Sequence, residues 1–211
     1  MSKLYFRYGA MNCGKTTALL QVAHNYEERG QTVVLIKPKI DKKGKQCVVS
    51  RLGVKRSVDL LLGENDHPIY EIKKWMNHVD CILVDEAQFL KSFQVDELYV
   101  IARLFHIPVI CYGLRTSSEL ELFEGSARLL AIADKLEELV TICRCGKRAN
   151  FNVRFDKHGK IIFGNGETVA IDGIDASYES YCGTCHIEKV RGWTKEKILE
   201  ALENRQEEGK S

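Results

Sequence analysis

Hydrophobic positions along the chain gather into short, nearly continuous runs separated by amphipathic stretches. Leu4 to Tyr8, Thr32 to Ile36, Cys81 to Val84 and Pro108 to Tyr112 have strand length and strand-forming side chains. Runs that are apolar at successive positions suit strands covered on both faces of a parallel sheet. Thr17 to Arg29 instead carries Leu19, Leu20, Val22, Ala23 and Tyr26 at helical spacing, with Gly30 as a stop. Ile69 to His78 repeats that spacing with Ile69, Ile72, Trp75 and Met76, and Val95 to Phe105 and Ser126 to Asp134 read as further helices. Strands alternating with helices predict an α/β fold, an open and mostly parallel sheet flanked by helices, with ligands at the strand ends. Leu114 to Glu124 loses all periodicity and is expected to be an active-site loop.

The second half is different. Val153-Arg154-Phe155 and Lys160 to Phe163 flank His158-Gly159, a hairpin turn signal. Thr194 to Glu208 reads as a charged helix with only Ile198, Leu199 and Leu202 as an apolar seam. The expected division is a nucleotide-binding α/β domain over 1–140, a metal-pinned lobe over 141–193, and a charged helical tail over 194–211.

The chemistry begins at Gly9-Ala10-Met11-Asn12-Cys13-Gly14-Lys15-Thr16, between the first strand and the first helix. Two glycines around four free positions, then Lys and Ser/Thr, form a phosphate-binding loop pattern. Glycines let the backbone wrap a triphosphate and aim its N–H groups inward. Lys15 reaches the outer phosphates, the Thr16 hydroxyl can ligate Mg²⁺, and the helix dipole adds positive potential. A plain strand-to-helix turn does not need the Gly-Lys-Thr triplet.

Asp85-Glu86-Ala87-Gln88-Phe89 follows the apolar run from Cys81. An acid at the end of such a strand shares Mg²⁺ with the loop hydroxyl, the role expected for Asp85. Glu86 beside it is placed to accept a proton from a hydroxyl or water. Two solvated carboxylates opening a helix are the bland alternative. Arg51 either reaches phosphate or is an ordinary surface cation.

Of eight cysteines, Cys81 and Cys111 lie in apolar strands and read as core. Cys143-Arg144-Cys145 and Cys182-Gly183-Thr184-Cys185-His186 form two close pairs, a pattern for structural Zn²⁺ held by Cys143, Cys145, Cys182 and Cys185. His186 is an alternative to Cys185. Four thiolates would close the shell and leave no catalytic position.

Composition narrows the class. At 211 residues, 45% hydrophobic and a formal charge of +2, the chain shows no strong pull toward nucleic acid or anionic membrane. No apolar run spans a bilayer. Met1-Ser2-Lys3 leads straight into the first strand without a visible signal peptide, so the cytosol is the expected compartment. The residues alone indicate phosphoryl transfer from a nucleoside triphosphate without naming the acceptor. A nucleic-acid-driven ATPase competes, since Asp-Glu-Ala-Gln also resembles a helicase box. Helicase motors generally use two such folds, however, and this length holds one. A zinc-ribbon binding module leaves the phosphate loop unexplained.

These motifs together resemble the type II thymidine kinase family, shared by many bacteria, animals and poxviruses. The likeness runs nearly end to end, through Gly9 to Thr17, Asp85 to Phe89, Gly113-Leu114, Phe123 with Gly125-Ser126, both cysteine pairs, and Asp172-Gly173 to Tyr178. The one-residue gap in the first cysteine pair resembles the enterobacterial branch. The resemblance implies a P-loop, RecA-like core with a zinc-ribbon-like lobe. It implies transfer of the ATP γ-phosphate to the thymidine 5′-hydroxyl, with Glu86 as base, Lys15 on the transferred group, and Thr16 and Asp85 on Mg²⁺. It assigns base-pocket positions to Met11, Leu114 and Phe123. It assigns backbone recognition of the base to the stretch from Ile171 through Asp172, Gly173 and Ile174 to Tyr178. It also implies a homotetramer inhibited by dTTP. The sequence departs where bacterial members usually continue with an acid and Phe-Arg-Gly-Glu. Here Ser118 replaces the aromatic and Glu119 the Arg, which removes contact area and reverses a charge.

Overall fold

A computed structural model describes residues 2–41, 46–162 and 176–208. The core strands are β1 (Leu4–Tyr8), β2 (Val33–Pro38), β5 (Leu60–Leu62), β6 (Cys81–Val84), β7 (Val109–Gly113) and β8 (Lys135–Glu138). They form one six-stranded sheet in the order β5-β2-β6-β7-β1-β8, parallel at every pairing. A small antiparallel pair, β3 (Cys47–Val49) and β4 (Lys55–Ser57), lies between β2 and β5 in sequence.

Period-two alternation divides the sheet's side chains between two cores. Val34, Ile36, Ile82, Val84, Val109 and Cys111 enter one cluster, beneath α3 (Ser92–Leu104) and α4 (Glu124–Ile132). Val33, Leu35, Cys81, Leu83, Ile110 and Tyr112 enter the other, with Leu19, Leu20 and Ala23 of α1 (Lys15–Glu27). The continuous apolar runs are thus covered on both faces. Lys37 extends β2 beyond the expected end of the strand and is buried against Asp41 at 2.8 Å. The helix expected over 69–78 is one α-turn, α2 (Pro68–Glu71), followed by a 3₁₀ turn over Lys73–Trp75.

Beyond β8 come the short strands β9 (Thr141–Ile142) and β10 (Arg148–Ala149), then β11 (Phe151–Asp156) and β12 (Ala176–Tyr181). The turn at His158-Gly159 is present, with Asp156 N–H bonded to Lys160 C=O and Ile162 N–H to Arg154 C=O. The long partner of β11 is β12, which pairs with it over six residues. α5 (Gly183–Val190) then covers a small cluster containing Cys143, Val153, Tyr181, Cys182 and Cys185. α6 (Lys195–Glu208) ends the described chain with Ile198, Leu199 and Leu202 about half exposed.

α4 reaches the acid-bearing segment through Gly125. A Cβ there would stand 2.4 Å from the Ala87 carbonyl oxygen and 2.8 Å from that of Leu90, both backbone atoms. Gly125→Ala must therefore push α4 away from residues 87–90, and overpacking of this kind costs about 1–3 kcal/mol. Chemical denaturation should show that loss. An unchanged midpoint would mean the helix has slack at this contact.

Candidate active site

Because the sheet is parallel, the loops after β1, β6 and β7 all leave from its carboxyl edge. Gly9 leaves β1 with its N–H bonded to the Gly113 carbonyl at 3.3 Å. It is glycine for lack of space, since a Cβ would lie 2.4 Å from the Leu139 carbonyl oxygen and 2.6 Å from Cys13 Sγ. Asn12 at φ 65° and Gly14 at φ 81° turn the loop through left-handed backbone before α1 starts at Lys15. Lys15 Nζ sits inside this turn, donating to Ala10 C=O at 2.9 Å and Gly9 C=O at 3.3 Å, with Cys13 Sγ at 3.7 Å.

Asp85 ends β6, its N–H bonded to Ile36 C=O at 3.0 Å and its carboxyl buried. Burial raises its pKa, and the negative charges of Glu86 and Asp41 add to that. The Glu86 N–H and the Lys15 ammonium oppose it, and the net effect pushes Asp85 up to about 7. Lys15 thus lies within electrostatic reach of Asp85. Glu86 adopts φ 49°, an uncommon conformation for a non-glycine residue that the sequence does not signal. Gln88, fully buried, donates from Nε2 to Glu86 Oε2 at 2.6 Å and accepts the Leu114 N–H at Oε1 at 3.0 Å. One amide thus orients the carboxylate and ties it to the segment after β7.

Lys15, Glu86 and Leu114 border one open cavity of about 870 Å³. Met11, Asn12, Gly14, Lys15 and Thr16 form its loop side. Glu86, Leu114 and Tyr178 converge from three other elements, and Val49, Arg51 and Leu52 close the far side from the β3–β4 hairpin. The hairpin's contribution is a long-range result that local sequence pattern does not carry. Ala87 lies in the core below, and Ala10 is buried behind the loop. Phe123 precedes α4 outside the lining, its ring edge-on to Phe89 at 5.8 Å. Ile171, Asp172, Gly173 and Ile174 lie outside the described residues.

The divergent stretch after Leu114 closes on itself. Thr116 bridges Leu122, the Ser117 N–H bonds Glu121 C=O at 2.8 Å, and Ser117 Oγ accepts the Glu119 N–H at 3.2 Å. Ser126 Oγ donates to Leu114 C=O at 2.5 Å, fixing the start of this turn from α4.

The sulfurs of Cys143, Cys145, Cys182 and Cys185 all lie within 4.8 Å of one another. Around tetrahedral Zn²⁺, ligand sulfurs stand roughly 3.8 Å apart, so this donor set fits that ion. Burial raises the Cys143 thiol, but N–H groups of Cys145 and Cys182 and neighbouring thiols outweigh it, leaving Cys143 at about 6. His186 is buried beside the cluster and packs against the Phe151 ring at 5.3 Å. It is not part of the sulfur set.

A phosphate loop after β1, an acid pair after β6 and a cavity lined by Lys15 and Glu86 define a phosphate-loop nucleotide-binding protein. The thymidine kinase family model matches residues 2–186. A thymidine kinase of Shewanella oneidensis is 49% identical over 185 residues, covering 86% of this chain and 95% of that protein. Those of Idiomarina loihiensis and Enterobacteria phage T4 are 48% and 45% identical, each covering 86% of this chain and 94% of the relative. Among solved structures, the Pif1 helicase of Candida albicans superposes with a TM-score of only 0.38 at 12% identity, over 66% of this chain and 36% of that one. The chain belongs to the thymidine kinase family.

The Asp85 shift has a measurable sign. Its carboxyl is neutral below about pH 7 and ionised above it, and only the anion ligates a divalent cation. Mn²⁺ titrated into the nucleotide-free protein should bind about tenfold more tightly at pH 8 than at pH 6. Asp85→Asn should flatten that difference. Equal Mn²⁺ affinity at both pH values would remove Asp85 from the cation site.

Proposed function

We propose that the protein transfers the γ-phosphoryl group of ATP to the 5′-hydroxyl of thymidine, yielding dTMP and ADP, in pyrimidine deoxynucleoside salvage. The observation that carries this reading is the convergence of Lys15, Glu86 and Leu114 on one cavity, with Asp85 buried beside Glu86 and within electrostatic reach of Lys15, in a chain of this family.

The steps follow from the side chains. The loop from Gly9 to Thr16 receives the triphosphate on inward N–H groups and the α1 dipole. Glu86, oriented by Gln88, takes the proton of the 5′-hydroxyl as its oxygen bonds to the γ-phosphorus and the bond to the β-phosphate oxygen breaks. Lys15 balances charge on the transferred group. Thr16 and Asp85 hold Mg²⁺, which screens the phosphates when bound. Met11, Leu114 and Tyr178 form the nucleoside side of the cavity, and the backbone from Ile171 to Ile174 is assigned to recognition of the base. Phe123 supports that side through Phe89.

The four cysteines hold a structural Zn²⁺ that organises the lobe over 141–193, beside the nucleotide-binding part over 1–140. A homotetramer inhibited by dTTP completes the reading, since dTTP joins a thymine base to a triphosphate within one cavity. The cytosol is the compartment assigned. No described helix is long and apolar enough to cross a membrane.

Incubation with ATP, Mg²⁺ and a panel of nucleosides should yield dTMP from thymidine. Glu86→Gln should lower turnover by at least about a thousandfold while ATP still binds, because the proton acceptor is lost and the loop is intact. Retained turnover would overturn the base assignment. ATP hydrolysis stimulated by nucleic acid, without any nucleoside monophosphate, would favour a motor instead. Elemental analysis of the folded protein should find about one zinc per chain, as four clustered thiols require. A folded, metal-free sample would refute the zinc assignment.

A further inference from the structure

The lobe that carries the cysteines also grips the phosphate loop. Asn152 of β11 and Ser180 of β12 are directly opposite partners in the antiparallel register. Both side chains turn to the backbone of Met11. Asn152 Oδ1 accepts the Met11 N–H at 2.7 Å, and Ser180 Oγ donates to the Met11 carbonyl at 2.7 Å. The Thr141 hydroxyl adds a longer contact to the Asn12 carbonyl at 3.5 Å. Asn152 is only 5% exposed, so its amide is committed to this contact rather than to water.

The place gripped is where the loop most needs support. Met11 immediately precedes Asn12 at φ 65°, and Gly14 at φ 81° follows two residues on. Left-handed backbone outside glycine persists only where its surroundings over-determine it. Neither polar group of Met11 belongs to a helix or a sheet ladder. Without the two side chains, the entrance to the turn would be free to rotate, and its N–H groups would lose the fixed aim that makes them effective toward phosphate.

We propose that Asn152 and Ser180 are positioning residues for phosphoryl transfer, a cross-strand clamp through which the cysteine lobe holds the phosphate loop in its anion-binding shape. The clamp is continuous with the cysteine cluster. Val153, Tyr181 and Cys182, next to the two clamp residues in sequence, belong to the same small core as Cys143 and Cys185. The proposal rests on the reading of Gly9 to Thr16 as the ATP site. It goes beyond that reading by giving the lobe a task at the donor phosphates.

The test uses the purified full-length, zinc-loaded enzyme. Asn152→Leu removes the acceptor at similar size, and Ser180→Ala removes the donor. Each should raise KM for ATP, by about tenfold and about threefold respectively, more than it changes KM for thymidine, with zinc content unchanged. The two substitutions act on one residue's backbone, so the double variant should fall short of the product of the singles. An unchanged ATP KM in Asn152→Leu, or equal effects on both substrates, would overturn the proposal. Should that variant fail to fold, hydrogen exchange on the wild-type protein decides. The Met11 amide should be protected at least about a hundredfold over an open amide, and exchange at the open rate would sink the clamp. A wild-type protein that phosphorylates no nucleoside would sink the kinase reading but leave the exchange result standing. An active wild type with an open Met11 amide would sink the clamp alone.

Discussion

Everything in this molecule depends on keeping one buried carboxylate, Asp85, within electrostatic reach of one lysine, Lys15. The two residues come from strands that do not touch. β6 and β1 flank β7 in the sheet, so the acid and the loop must meet across the end of the strand between them. Gly113 closes β7 at that point. Its carbonyl accepts the Gly9 N–H, and a Cβ on it would lie 2.8 Å from Gln88 Oε1. A side chain there would push the phosphate loop and the acid segment apart, so the smallest residue stands where the two halves join. A parallel sheet supplies the rest, since every strand delivers its loop to the same edge.

The chain's pattern reveals much of this frame, and the reasons are local. Nearly continuous apolar runs mark β2, β6 and β7, and amphipathic spacing marks α1, α3 and α4. β8 escapes because Lys135-Leu136-Glu137-Glu138 is a polar edge strand, stabilised by pairing with β1 rather than by burial on two faces. β3 and β4 escape because three-residue strands carry too little pattern. At the site, Gly9 to Thr16 and Asp85-Glu86 are legible because the chemistry demands those residue types at fixed spacing. Asn152, Ser180 and the buried Lys37–Asp41 pair are not. Asn and Ser in a strand look like solvent-facing positions until the lobe is folded against a loop 141 and 169 residues earlier.

The turn after Leu114 is anchored at its start from two sides. Ser117 accepts the Glu119 N–H and bonds Glu121 through its own backbone N–H, so the turn is held by its own polar groups. Leu120 takes φ 66°. That is a strained position for a branched side chain, roughly 1–2 kcal/mol above the right-handed region. The cost is borne locally, because Ser126 anchors Leu114 from α4 and Gln88 anchors the same residue's N–H. The cavity therefore keeps Leu114 in place while the turn beyond it carries the strain.

Among the described residues, the buried cluster of the cysteine lobe is six residues, three of them cysteines. A bound metal would reinforce that cluster by tying Cys143 and Cys145 to Cys182 and Cys185 across the loop between them. That bracing would be pointless for a lobe that only decorated the sheet. Its two long strands, however, end in side chains that fix the phosphate loop, and its last described stretch before Cys182 places Tyr178 in the cavity. A metal held by the four thiols would stiffen a segment that reaches both the phosphate loop and the cavity.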